Sequence, residues 1–147
     1  AIERMKTVNR AAAEILSQSE VHACTEITGN GLIGHASEIA EASGVGMEFT
    51  LAAIPFFSAA RQFADSGKFP GGTYSNQQYF GHWVDASPGV SPHMLMLLHD
   101  AQTSGGLLCA LPAKQADDAV SRLRGAGLSS AARIGSVISE PRIRIKP

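Results

Sequence analysis

The stretch "HACTEITGNGLIGHASEIAEASGV", His22 to Val45, passes from a β-type segment through a glycine-rich turn into a helix pattern. "EVHACTEI" (Glu20 to Ile27) reads as a short strand, and "TGNGLIGH" as a tight turn. From about Leu32 to Ala42, Ile33, Ala36, Ile39 and Ala40 fall on one face before "SGVG" stops the helix. Gly29, Gly31 and Gly34 match G-x-G-x-x-G at a helix start. A dinucleotide fingerprint also needs an acid at the end of the next strand, and apolar Ile54 sits there instead. Amides at the helix start can still hold the phosphate of another ligand.

A second loop, "LHDAQTSGGLLCALP" (Leu98 to Pro112), holds Gln102 to Gly106 between two apolar runs. That is more than a two-residue reversal needs. Thr103, Ser104, Gly105 and Gly106 offer hydroxyls and close backbone approach, which suits an anion. Ser104 lacks the G-x-S-x-G elbow of a nucleophile, and Gly67-Lys68 lacks the context of a P-loop.

Outward from these loops, "AIERMKTVNRAAAEILSQ" is helix-like and begins without Met, so a fragment of a longer protein is expected. "MEFTLAAI" (Met47 to Ile54) reads as a strand, Pro55 to about Asp65 as a helix, and "SGKFPGGTYSN" as a loop. "QQYFGHWVDASPGVSP" reads as irregular. "HMLMLLHD" and "GLLCALP" read as strands, "AKQADDAVSRLRGAG" as an amphipathic helix, and "AARIGSVIS" and "PRIRIKP" as closing strands. The interleaving predicts a single α+β domain over 1–147, one mixed sheet flanked by helices.

At 147 residues and 44% hydrophobic content the chain can bury a core. Twelve basic and thirteen acidic residues leave a net charge of −1, so no nucleic-acid or anionic-membrane partner is expected. No apolar run reaches the roughly 18 residues of a membrane span, and a cytoplasmic protein is expected. Cys24 and Cys109 sit in apolar stretches and read as buried thiols. The five histidines show no ligand spacing and read as surface or hydrogen-bonded residues. Arg142, Arg144 and Lys146 alternate with Ile143 and Ile145, the pattern of a half-buried strand with a solvated basic face. Glu26, at a strand end beside the glycine turn, is the carboxylate best placed for a hard cation near phosphates.

Taken together, "HACTEITGNGLIGHASEIAEASGV", "FPGGTYSN" (Phe69 to Asn76), "HDAQTSGGLLCALP" (His99 to Pro112) and "ARIGSV" (Ala132 to Val137) resemble the C-terminal domain of selenophosphate synthetase, or selenide, water dikinase. "MKTVNRAA" (Met5 to Ala12) is similar to the helix that opens that domain. Aminoimidazole ribonucleotide synthetase and thiamine-monophosphate kinase share the architecture. The resemblance implies an enzyme that makes selenophosphate from selenide, ATP and water, works as a homodimer, and carries its nucleophile and catalytic lysine in an N-terminal domain. It implies no catalytic residue within this chain, so the isolated fragment should be inactive. ATP phosphates would meet Thr28, Gly29, Gly31, Thr103, Ser104, Gly105 and Gly106, and Glu26 would take the place of an Mg²⁺-binding aspartate. Glu26 is one methylene longer than that aspartate, Asn30 replaces a common phenylalanine, and Ala101 replaces a usual proline. The alternative is a non-catalytic or diverged nucleotide-binding scaffold. The two glycine loops, 28–31 and 103–106, should share one face of the sheet.

Overall fold

A computed structural model describes residues 2–147. The helix-like N-terminal stretch divides into α1 (Ile2–Lys6) and α2 (Arg10–Leu16), with Asn9 in the break. There follow β1 (Ala23–Glu26), α3 (Gly31–Ser43) and β2 (Gly46–Thr50). Gly44, in left-handed conformation, ends α3 at the predicted stop. After α4 (Ser58–Asp65), α5 (Gly71–Phe80) and β3 (Val84–Ala86) come α6 (Pro92–Leu98) and β4 (Leu107–Ala110). The chain closes with α7 (Ala113–Gly125), β5 (Gly135–Ile138) and β6 (Ile143–Lys146).

The α+β class and the mixed sheet are as expected, but the strands divide in two. A four-stranded sheet runs β3-β6-β2-β5, parallel across β3-β6-β2 and antiparallel at β5. β1 and β4 stand apart as an antiparallel ribbon. The core lies between α3 and the larger sheet, where Ile33, Ala36 and Ala40 meet Met47, Phe49, Ile143 and Ile145. Ile143 and Ile145 are buried while Lys146 faces water and pairs with Glu48 at 2.8 Å, so the basic strand is half-buried as its alternation required.

Three expectations fail, each for a physical reason. "HMLMLLHD" forms α6 rather than a strand: Pro92 starts it, its Met and Leu residues are good helix formers, and Met94 and Leu98, four apart, are the buried pair. "GGTYSNQQYF" forms α5 despite its glycines, because Thr73 and Asn76 are anchored to the 99–100 backbone and side chain beyond α6. α4 begins at Ser58, not Pro55, and β2 ends at Thr50, followed by a single 3₁₀ turn over Leu51–Ala53. The cysteines are also misjudged: Cys24 is exposed and Cys109 only half-buried, because they occupy the outward face of a ribbon with no further strand.

Candidate functional site

The ribbon brings the two glycine loops together. Because β1 and β4 are antiparallel, with Glu26 opposite Leu107, the exit of one strand lies beside the entry of the other. Ile27 N–H donates to the Gly106 carbonyl at 2.9 Å, Gly105 N–H to the Ile27 carbonyl at 3.0 Å, and Gln102 N–H to the Thr28 carbonyl at 2.9 Å. Thr28–Gly31 and Thr103–Gly106 therefore form one ledge at one end of the ribbon.

The glycines on the ledge do different things. Gly31 has φ +68, and a Cβ there would lie 2.7 Å from the His99 carbonyl carbon and 2.9 Å from the Asp100 carbonyl oxygen. A Cβ on Gly105 would overlap the Ile27 carbonyl oxygen. Both are required by packing, and both amides are spent internally, Gly31 N–H on the Thr28 carbonyl at 3.1 Å. Gly29 and Gly106 are exposed and face open space. Among the described residues the ledge amides of Thr28, Gly29, Asn30, Thr103, Ser104 and Gly106 have no backbone partner, and those of Gly29, Thr103, Ser104 and Gly106 belong to exposed residues that a ligand can reach. Ser104 is held at φ 55, the only non-glycine with positive φ among the described residues. Such conformations cost about 1–2 kcal/mol and concentrate at functional loops. Asn30 precedes α3 with no side-chain bond to the backbone amides of the first turn, leaving that positive dipole end uncapped, with no acid in the turn.

Behind the ledge is a layer of fixed polar groups that the sequence pattern did not single out. Asn76 Nδ2 donates to the Gly29 carbonyl at 2.8 Å and to the His99 carbonyl at 2.9 Å, tying α5 to both loops. Thr73 donates to Asp100 Oδ1 at 2.7 Å. His35 Nε2 meets Thr28 Oγ1 at 3.1 Å, and its Nδ1 meets Glu38 Oε2 at 2.9 Å. Glu38 Oε1 also accepts from Asn30 Nδ2 at 2.8 Å, which gives the residue that departs from the family pattern a polar anchor. His99 is buried, its Nδ1 has no partner, and burial away from water lowers its pKa to about 4. It is the exception to the surface or hydrogen-bonded reading of the histidines.

Glu26 is exposed at the end of β1, with Oε1 accepting from Asn9 Nδ2 at 2.8 Å. Asn9 donates also to the Gly105 carbonyl at 2.8 Å, so the break between α1 and α2 links the carboxylate to the second loop. No basic side chain pairs with Glu26 among the described residues. Nor do three His, Cys, Asp or Glu side chains cluster among them as a metal cage. One exposed carboxylate beside free amides fits a cation such as Mg²⁺ that takes one or two carboxylates and completes its shell with phosphate and water.

The chain belongs to the AIR synthase related proteins, whose C-terminal domain profile matches residues 1–146. Among its relatives is the selenide, water dikinase of Pelobacter propionicus, 42% identical over 144 residues, covering 98% of this chain and 41% of that protein. The selenide, water dikinase of Caldanaerobacter subterraneus subsp. tengcongensis is 42% identical over 123 residues, 84% of this chain and 36% of the relative. This chain thus spans about two fifths of the relatives' length. Of solved structures, E. coli HypE superposes with TM-score 0.70 at 20% identity, over 97% of this chain and 37% of that one, and shares the fold. The hydrogenase maturation protein HypE in complex with ATP matches with TM-score 0.59 at 26% identity, over 90% of this chain and 32% of that one.

Proposed function

We propose that this chain is the C-terminal domain of a selenide, water dikinase and forms, with an N-terminal domain of the same polypeptide, the cleft that holds ATP. The observation that carries the proposal is the joining of the two glycine loops into one ledge with Thr28, Thr103 and Ser104 hydroxyls and, on four exposed residues, amides free of backbone partners. Identity of 42% to proteins of that name, and likeness to a HypE determined with ATP, support it.

Phosphoryl transfer asks the protein chiefly to position groups and neutralise charge. The Gly29, Thr103, Ser104 and Gly106 amides would bind phosphate oxygens, while Gly31 and Gly105 serve by letting the loops close on each other. His35, held by Glu38, orients the Thr28 hydroxyl, and Asn76 fixes the Gly29 and His99 carbonyls so that the ledge does not rearrange as ligand arrives. Mg²⁺, when bound, supplies positive charge to the phosphate oxygens, and Glu26, steadied by Asn9, would be this domain's ligand to it. The full-length protein works, on this reading, as a cytoplasmic homodimer with the nucleophile outside this chain.

The test is AMP formation by the full-length protein with and without selenide. AMP released only when selenide is present, and none from the 147-residue chain alone, is the expected result. ATP binding without turnover at any selenide concentration would favour the scaffold alternative.

A further inference from the structure

The outward face of the β1–β4 ribbon carries a pair of groups for which the phosphate site has no use. Cys24 and Cys109 stand directly opposite each other in register, both as free thiols, with Sγ atoms 2.8 Å apart. A disulfide needs about 2.05 Å between sulfurs, so they must close by about 0.8 Å. Opposed Cβ atoms on an antiparallel pair lie about 4.5–5.5 Å apart, and a disulfide wants about 3.8 Å, which asks for a small approach of the strands. A ribbon of only two strands can make that approach, since no third strand fixes either partner. The same contact occurs in an inert buried thiol pair, but Cys24 is open to solvent, where an oxidant can reach it.

We propose that Cys24 and Cys109 are a redox-active dithiol that closes to an intramolecular disulfide on meeting a small-molecule disulfide such as oxidised glutathione. The exposed Cys24, as thiolate, attacks one sulfur of oxidised glutathione and expels a glutathione thiolate, leaving a mixed disulfide on Cys24. Cys109 then gives up its proton and attacks Cys24 Sγ, expelling the second glutathione. Two protein thiols are oxidised, one glutathione disulfide is reduced to two thiols, and the two protein protons pass to the two departing thiolates. Burial and the neighbouring sulfur of Cys24 push the Cys109 thiol up, which makes Cys109 the second reactant and Cys24 the first. Exposed disulfides of this kind are the readily reduced ones, so the bond should be reversible.

The bond would sit two residue pairs from Glu26 and Leu107, on the two strands that carry both glycine loops. Closing it staples the ribbon across an 85-residue separation, a long loop whose cross-linking raises the melting temperature, here by roughly 5 °C or more. It also slows hydrogen exchange at the Ile27 and Gly105 amides, whose bonds join the loops.

The experiment incubates the protein in glutathione buffers of rising oxidised fraction, quenches the thiols, and maps them by mass spectrometry and thiol titration. The expected product is a monomer lighter by two hydrogens, with a Cys24–Cys109 cross-linked peptide and both thiols restored by dithiothreitol. Cys109→Ser should stop at a glutathione adduct on Cys24, and Cys24→Ser should leave Cys109 unmodified. Wild-type protein that accumulates the adduct, forms linked dimers, or keeps both thiols in fully oxidised glutathione would overturn the proposal.

Discussion

Replacing Gly31 by alanine should separate the two loops at the point where they depend on each other. The residue has φ +68, so any L side chain pays the left-handed penalty of about 1–2 kcal/mol. The new Cβ would also stand 2.7 Å from the His99 carbonyl carbon and 2.9 Å from its oxygen, and these are backbone atoms held by Asn76. Overpacking against atoms that cannot turn away costs a further 1–3 kcal/mol, roughly. The total, about 3 kcal/mol, corresponds to a melting temperature lower by roughly 6–12 °C for a domain of this size. Urea unfolding followed by the single tryptophan, Trp83, measures it, with Gly29→Ala as the control. Gly29 faces open space and has no left-handed φ, so its substitution should cost less than about 1 kcal/mol. If Gly31→Ala is no less stable than Gly29→Ala, the packing explanation of the ledge is wrong.

On the proposed function, Glu26→Ala in the full-length protein should lower ATP- and selenide-dependent turnover by roughly 100-fold at limiting Mg²⁺, with an unchanged melting curve, because it removes an exposed carboxylate and no core contact. Glu26→Asp should retain or raise activity, and assays over a range of Mg²⁺ distinguish the two. His99 should make stability pH-dependent: its folded pKa near 4 lies below the unfolded 6.5, so the unfolded chain takes up the proton first as pH falls. Stability should therefore decline between about pH 6.5 and pH 4, by up to about 3 kcal/mol, and level off below; denaturation midpoints across that window, compared with His99→Leu, report it. Ser104→Gly should relieve the left-handed backbone and stabilise the chain by roughly 1 kcal/mol, whereas Ser104→Ala, which keeps the Cβ, should not; thermal melts of both decide.

The strand, turn and helix of residues 22–45 were legible because each change of periodicity is marked by glycine and the helix stripe is unambiguous. That the two loops meet was legible in part, since each adjoins a strand end, but they meet at one end of the separate ribbon rather than on a face of the larger sheet, and the second loop is entered from α6 and not from a strand. α6 was not: a short apolar run of Met and Leu fits a buried strand or a helix equally well until its neighbours choose. α5 was hidden because its glycines argue locally for a loop, and the bonds that override them reach to Gly29, His99 and Asp100, far off in sequence. The same distance hid Asn9, whose side chain joins Glu26 to Gly105. Cysteine burial could not be judged from apolar neighbours, since one face of a two-stranded ribbon stays open to water.

The claim that the ledge receives ATP phosphates is tested most directly by amide hydrogen exchange on the full-length protein with and without Mg²⁺ and ATP. Binding there predicts slowed exchange at Gly29, Thr103, Ser104 and Gly106, exposed residues whose amides lack backbone partners, and little change at Gly31 and Gly105, which are already bonded. Protection confined to regions outside 26–31 and 102–107, at nucleotide concentrations that saturate the protein, would contradict it.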